Sequence, residues 1–393
     1  MIYTDFQELK LSRLGFGTMR LPVNEHDKKI DEEKAAEMVG YAIGSGINYF
    51  DTAYFYHNGE SERFIGETLS NFPRDSFYLA DKMPGNAMDI VDGKIRLDLS
   101  GFSLEDIICD SPAKVFERQL EKCGVDYFDF YMLHNLSEGT YDLYINEDIG
   151  IISYLLEQKK NGRIRHLGLS SHGRPETIDK FLSNYNFIEF AQIQLNYLDW
   201  SLQEAGRKYE VITKHGIPVI VMEPVRGGKL ANPGERGEAI LKAERPDEAP
   251  ASWAFRYVNS LPNAAVILSG MSSMEQLKEN LEIFEKNDPF TEHDKSVVKR
   301  VADTFADFVQ CTSCRYCCEK CPQGLDIPRL ISTFNEASVG MSWLVYDSLD
   351  NMKESEKPQA CTGCGSCRKV CPQEIDIPGV IKGFVKKLER KKK

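Results

Sequence analysis

The chain has 393 residues, of which 42% are hydrophobic and 27% charged, and a net charge of −12 at pH 7. That is enough apolar material for one large domain and a smaller one, and an acidic balance without a basic face excludes nucleic acid as a main partner. Residues 1–10 hold no apolar run followed by a small-residue cleavage site, and no stretch of about eighteen consecutive apolar residues occurs, which predicts a soluble, cytoplasmic protein that does not engage a membrane.

From residue 14 to residue 272 short apolar runs alternate with longer amphipathic stretches. The runs are 14–18, 47–52, 77–82, 127–134, 165–170, 190–196, 218–224 and 264–270; between them lie helix-like stretches such as 31–44, 61–71, 111–124, 175–184 and 201–215. Continuous apolar runs spaced by helices mark parallel strands covered by crossover helices. Eight such units over about 260 residues predict an α/β fold, a closed eight-stranded (β/α)8 barrel of the TIM type. A doubly wound open sheet is the alternative, and no GxGxxG follows an early strand to support it. Two long connections, 83–105 and 226–250, are rich in Gly with Asp or Pro and are expected to border the site as loops. Segments 273–284 and 291–308 read as helices completing the barrel. The domain boundary is then near Gln310, with a barrel over 1–309 and a second domain over 310–393.

Cysteine is distributed unevenly: Cys109 and Cys123 precede residue 311, and the other nine lie between Cys311 and Cys371. Residues 311–328 read CTSCRYCCEKCPQGLDIP and residues 361–378 read CTGCGSCRKVCPQEIDIP, an internal repeat offset by fifty residues. Each copy has the Cys-x2-Cys-x2-Cys-x3-Cys-Pro spacing in which three thiolates wrap one 4Fe-4S cubane and the fourth reaches the neighbouring cluster. By that rule one cluster takes Cys311, Cys314, Cys317 and Cys371, and the other Cys361, Cys364, Cys367 and Cys321. A pair of zinc sites is the rival reading, but zinc needs neither the third cysteine nor the Cys-Pro. Cys318 is left over, and Cys109 and Cys123 read as small buried hydrophobes. The linker 330–358 carries Phe334, Trp343, Leu344 and Tyr346, apolar surface expected to pack around the clusters.

Asp51, Tyr56, Lys82 and His134 fall at the carboxyl ends of three predicted strands. Singly, each has a plain structural reading as cap, packing ring, surface lysine or core histidine. Together they form a coherent acid device. An ammonium held by an aspartate lowers the pKa of a tyrosine hydroxyl so that it donates a proton near neutral pH, and a histidine orients a carbonyl oxygen.

Through Gly15-Phe16-Gly17-Thr18, Phe50-Asp51-Thr52-Ala53 with Tyr56, Asp126-Tyr127-Phe128-Asp129 leading to His134, Gly168-Leu169-Ser170-Ser171, and Gly270 through Glu279-Asn280, the sequence resembles the aldo/keto reductase family, in its branch with a small, mainly helical, ferredoxin-like C-terminal domain carrying two 4Fe-4S clusters. The resemblance covers nearly the whole chain. It implies hydride transfer between NADH or NADPH and a small-molecule carbonyl substrate, with Tyr56 as general acid, Asp51 and Lys82 as its tuners and His134 as the orienting residue. It implies Ser170, Ser171 and Gln192 at the nicotinamide carboxamide, Gly17, Thr18 and Asp51 near its ribose, Gly227 at the pyrophosphate, and Gln276, Glu279 and Asn280 at the adenosine end. The chain departs from the family pattern at Ser171, at Met222 where an aromatic ring commonly stacks, and at Gly270 and Gln276, where NADPH-preferring members carry cations for the 2′-phosphate. NADH is therefore the favoured nucleotide. Nicotinamide moves two electrons and each cluster one, so the clusters are structural, sense redox state, or feed an unidentified cofactor, and a ferredoxin or other redox protein is a candidate partner. A vestigial barrel serving only electron transfer and a ferredoxin-driven reductase without nicotinamide are the rival readings.

Overall fold

The computed structural model describes residues 1–97, 109–305, 308–309, 311 and 314–390. The chain opens with an antiparallel hairpin, β1 (Tyr3–Phe6) and β2 (Leu9–Ser12), that the apolar-run pattern does not reveal because both strands are short and half exposed. Next come β3 (Leu14–Gly17), β4 (Tyr49–Asp51) and β5 (Tyr78–Met83). A second hairpin, β6 (Met88–Val91) and β7 (Lys94–Leu97), follows. The remaining strands are β8 (Phe128–Leu133), β9 (Ile164–Ser171), β10 (Ala191–Gln194), β11 (Val219–Met222) and β12 (Ala264–Gly270).

Strands β3, β4, β5, β8, β9, β10, β11 and β12 pair in parallel, and β12 returns to β3 to close an eight-stranded barrel. All eight predicted runs supply one strand each. The strands are apolar on both faces because one face fills the barrel and the other lies under helices; β8, FDFYML, is buried at every position. Close packing has a backbone requirement at Gly168, where a Cβ would lie 2.6 Å from the Phe190 carbonyl oxygen. The N-terminal hairpin sets Phe6 and Leu11 into a buried cluster with Tyr49, Phe130, Phe190, Ile220 and Val266, closing the barrel end away from the strand carboxyl termini.

Two connections differ from the expected loops. Within 83–105, residues 85–97 form a 3-10 turn and the β6–β7 hairpin, and residues 98–105 lie outside the described residues. Within 226–250, residues Gly234–Glu244 form a helix, with Pro233 as its N-cap and no proline inside it. The helix expected over 291–308 runs Glu292–Ala302, and Gln310 is outside the described residues.

The chain divides into two compact units, one comprising Met1–Asp199, Glu204–Asn232 and Glu248–Lys295, the other Trp200–Gln203, Pro233–Asp247 and Ser296–Lys393. In the second unit Ile327–Val339, Trp343–Asp350 and Ile377–Glu389 are helices whose Leu330, Ile331, Val345, Leu349, Ile381 and Phe384 form one core. Of the apolar residues expected to pack here, Phe334 lies against this core, while Trp343 and Tyr346 keep 45% and 42% of their surface exposed and Val345 and Leu349 are the buried residues of their helix. Among the described residues no helix is long and apolar enough to cross a membrane.

Candidate functional site

Strand β4 ends on Asp51, whose backbone carbonyl is held by a chain of hydroxyls. Thr18 donates to the Asp51 carbonyl (2.9 Å), Ser61 donates to Thr18 (2.7 Å), and Thr52 lies 2.9 Å from Ser61. Lys82, on β5, is fully buried, with Nζ 2.7 Å from Asp51 Oδ1 and 2.5 Å from the Thr52 carbonyl oxygen. Tyr56 begins a tight turn whose next two residues, His57 and Asn58, are both left-handed (φ 52° and 55°), an uncommon backbone that swings the tyrosine ring over the ammonium. Lys82 Nζ stands 4.9 Å from the centre of that ring. His134 follows the end of β8; its ring lies edge-on to Tyr56 with centres 6.3 Å apart and is stacked on Phe55 at 4.7 Å. The four strand-end residues therefore converge. Phe55, not among the residues expected at the site, stacks on the imidazole and fixes its plane.

The electrostatics differ from the simplest expectation in one respect. Burial raises the Tyr56 pKa, and the Lys82 ammonium only partly offsets it, so the net direction is upward from 10, not down toward neutrality. Burial also raises Asp51 against the opposing pull of Lys82. His134 is held well below 6.5 by burial and then by Lys82, which keeps it neutral at physiological pH. Asp51 Oδ2 and His134 Nδ1 are buried atoms without a hydrogen-bond partner, so the pocket retains acceptor and donor capacity.

The residues expected to hold a nucleotide are only partly arranged for it. Gly17 and Thr18 lie at the end of β3 beside Asp51. Gln192, on β10, points its Nε2 at the Met222 sulfur (3.7 Å) and leaves a buried Oε1 unpartnered, a vacant acceptor that fits a carboxamide N–H. Ser170 accepts from the Asn135 amide (2.9 Å). Ser171 is committed locally, donating to the Leu136 carbonyl at 2.6 Å and accepting from the Gly173 amide at 3.0 Å, because the loop after β8 folds onto the end of β9. Asn280 is buried and donates to Ser269 (3.0 Å), Gln276 caps the Ser272 amide (2.8 Å), and Glu279 is exposed on the same helix. Gly227 is left-handed (φ 62°), and a Cβ there would sit 2.8 Å from the Arg20 guanidinium, whose methylene stem runs 3.1–3.3 Å from the Cβ position of Gly270. The turn bearing Gly227 is anchored by a buried ion pair, Arg226 Nε to Asp199 Oδ1 at 2.8 Å, with Gln194 and Asn196 donating to the other Asp199 oxygen at 2.7 and 2.6 Å. No motif in the sequence marks this anchor. Its only trace in the sequence is the polar cluster that follows the apolar core of the sixth run.

The cysteine repeat folds as two equivalent loops, with Arg315 and Gly365 left-handed at matching positions before the short helices Tyr316–Glu319 and Ser366–Lys369. Cys311, Cys314, Cys317 and Cys371 line one cavity, and Cys361, Cys364, Cys367 and Cys321 line another. Each cavity thus draws three sulfurs from one repeat and the fourth from the other. Sulfurs drawn from both loops around one cavity fit a polynuclear cluster. Cys318 lines neither cavity, and Cys109 and Cys123 are buried in the first unit.

A family model described as the aldo/keto reductase family matches residues 13–303, and one described as a 4Fe-4S dicluster domain matches residues 310–376. The chain is 27% identical over 296 residues to the uncharacterized oxidoreductase YqkF of Bacillus subtilis, spanning 70% of this chain and 88% of that protein. It is 25% identical over 332 residues to the NADH-specific methylglyoxal reductase of Escherichia coli, spanning 75% and 96%. Among solved structures, the holo form of the aldo-keto reductase AKR11C1 from Bacillus halodurans matches with a TM-score of 0.59 and 29% identity, over 77% of this chain and 97% of that one.

Proposed function

Because the chain belongs to the aldo/keto reductase family, we propose that it reduces a small aldehyde or ketone, with Tyr56 donating the proton and a nicotinamide nucleotide the hydride. The observation that carries this reading is the convergence of Asp51, Tyr56, Lys82 and His134 at one end of the barrel. When bound, the reduced nicotinamide supplies two electrons and one hydrogen to the carbonyl carbon. Tyr56, protonated across the physiological range because burial raises its pKa, gives its hydroxyl proton to the carbonyl oxygen as negative charge develops there. The Lys82 ammonium, held by Asp51 and the Thr52 carbonyl, stabilises the phenolate left behind. His134, neutral, hydrogen-bonds the same oxygen without adding a second cation beside Lys82.

Gln192 would hold the carboxamide, with Gly17, Thr18 and Gly227 along the ribose and pyrophosphate. Gly270 and Gln276 carry no cation for a 2′-phosphate, which favours NADH, the nucleotide that the Escherichia coli relative is named for; the Arg20 guanidinium, 2.8 Å from the Cβ position of Gly227, is the cation that would favour NADPH instead. The eight cysteines of the two cavities would hold two 4Fe-4S clusters, a one-electron port for a redox partner such as a ferredoxin.

The test is anaerobic steady-state reduction of a panel of aldehydes and ketones with NADH. Tyr56→Phe is expected to lower kcat by about 10²- to 10⁴-fold while NADH still binds, read by nucleotide fluorescence. A Tyr56→Phe protein that reduces the panel at the wild-type rate overturns the reading. Turnover driven by reduced ferredoxin alone, without nucleotide, would replace the hydride donor.

A further inference from the structure

Along β5 the even-numbered residues direct their backbone N–H and C=O toward β4. The last ladder bond between the two strands is Thr52 N–H to the Ala80 carbonyl, at 3.0 Å. Two residues on, β4 has turned away, so the backbone N–H and C=O of Lys82 face a gap where strand partners would stand. The Thr52 carbonyl, the partner that the Lys82 N–H would take next, is instead occupied by the lysine's own Nζ at 2.5 Å. A buried peptide group in that position must be satisfied from elsewhere.

Two side chains do it. Asp81 Oδ1 accepts the Lys82 N–H at 2.8 Å, and Gln119 Nε2 donates to the Lys82 carbonyl at 3.0 Å. Gln119 is fully buried and both ends of its amide are engaged: its amino group also donates to Glu62 Oε1 at 3.0 Å, and its oxygen accepts from the Tyr131 hydroxyl at 2.5 Å. Glu62, fully buried, is braced in turn by Lys122 at 2.7 Å. The two helices that carry these groups, Glu60–Leu69 and Pro112–Cys123, approach so closely that a Cβ on Gly66 would stand 2.2 Å from the Cys123 carbonyl oxygen. None of this polar chain faces the pocket; it lies on the helix-covered side of β5, behind the lysine.

We propose that Gln119 and Asp81 are positioning residues for the reduction: as side-chain substitutes for the missing strand partner they hold the Lys82 backbone, and through it the ammonium, at its station beside Tyr56. The inference rests on the reading of Lys82 and Tyr56 given above. It explains why a β5 residue with no strand on one side stays in register, and why an amide, which donates and accepts at once, stands at position 119 on an otherwise apolar helix face.

Three variants of the full, cluster-loaded chain test it. Gln119→Met keeps the volume but strips both donors; it is expected to lower kcat for carbonyl reduction about tenfold or more, because a displacement of about 1 Å in a catalytic group costs up to 10²-fold, with KM for NADH within twofold and iron content unchanged. Asp81→Asn retains an acceptor for the Lys82 N–H, and Asp81→Leu does not. Burial, and then the neighbouring Glu62, hold the Asp81 carboxyl well above its usual range, so the neutral amide is the conservative replacement, and its kcat is expected to exceed that of Asp81→Leu by at least fivefold. A Gln119→Met enzyme with wild-type kcat overturns the proposal, as does an Asp81→Asn enzyme as impaired as Asp81→Leu. Should Gln119→Met fail to fold, the Asp81 pair decides alone. Tyr56→Phe and Lys82→Met, measured alongside, separate the two failures: if both stay active the reading of the site is wrong, and if both are inactive while the positioning variants match wild type only this inference falls.

Discussion

Removing the Lys82 ammonium exposes what the pair with Asp51 contributes to stability. The two charges are 2.7 Å apart, with side chains 0% and 3% exposed. At an effective dielectric near 20 their attraction is about 6 kcal/mol, and desolvation of both ions offsets much of it, so deleting one partner should cost about 3–5 kcal/mol. Lys82→Met leaves Asp51 buried with one oxygen already unpartnered; since burial raises this carboxyl, it takes up a proton, which limits the loss to the lower part of that range. Asp51→Leu strands the ammonium. The double variant Lys82→Met/Asp51→Leu leaves no buried charge and should be destabilised by less than either single change. Anaerobic urea unfolding at pH 7, followed by far-ultraviolet circular dichroism, measures all four corners of the cycle. A double variant whose loss equals the sum of the single losses would show the charges to be independent and refute the reasoning, and a Lys82→Met loss under about 1 kcal/mol would show the lysine to be solvated.

His134 is neutral in the folded chain because burial lowers its pKa. Its unfolded form binds protons first, so the stability it contributes is complete above pH 6.5 and is lost as pH falls below that value, by up to about 1.4 kcal/mol per unit; the stability gap between wild type and His134→Gln should shrink from pH 7 to pH 5, and parallel curves would sink the assignment. Anaerobic protein should contain about eight irons per chain. Cys371→Ala should remove the cluster whose other ligands are Cys311, Cys314 and Cys317 and spare its neighbour, leaving one electron paramagnetic resonance signal on reduction; loss of the Cys361 cluster instead would mean ligation within each repeat. Gly66→Ala should lower stability by about 1–3 kcal/mol through overpacking, since the added methyl meets backbone at 2.2 Å; an unchanged melting temperature would mean the helices yield freely.

The barrel was legible because a parallel sheet buried on both faces leaves long apolar runs, and β8 and β9 are such runs. The cluster loops were legible because ligand spacing is a local property of the chain. Features that depend on distant partners were not. The β1–β2 hairpin, YTDF and LKLS, has mixed burial and resembles a loop. That Val345 and Leu349, more than Trp343 and Tyr346, are the buried residues of their helix depends on the helix phase. Ser171 matches a nicotinamide ligand by position, yet its hydroxyl is bonded to the Leu136 carbonyl, a contact 35 residues away. The upward direction of the Tyr56 pKa depends on how much water the fold removes, which a list of neighbouring residue types does not contain.

The interleaved cavities also constrain how the protein is made. The cavity that begins at Cys311 has its fourth sulfur on Cys371, and the one centred on Cys361 borrows Cys321 from the earlier loop. A nascent chain that has just emitted the first loop carries three sulfurs around a void and a fourth aimed at nothing yet synthesised. Neither cavity can therefore be walled by one repeat alone: the one centred on Cys361 has its four sulfurs once Cys367 has been made, and the one that begins at Cys311 waits for Cys371, so the earlier loop is the later one to be completed.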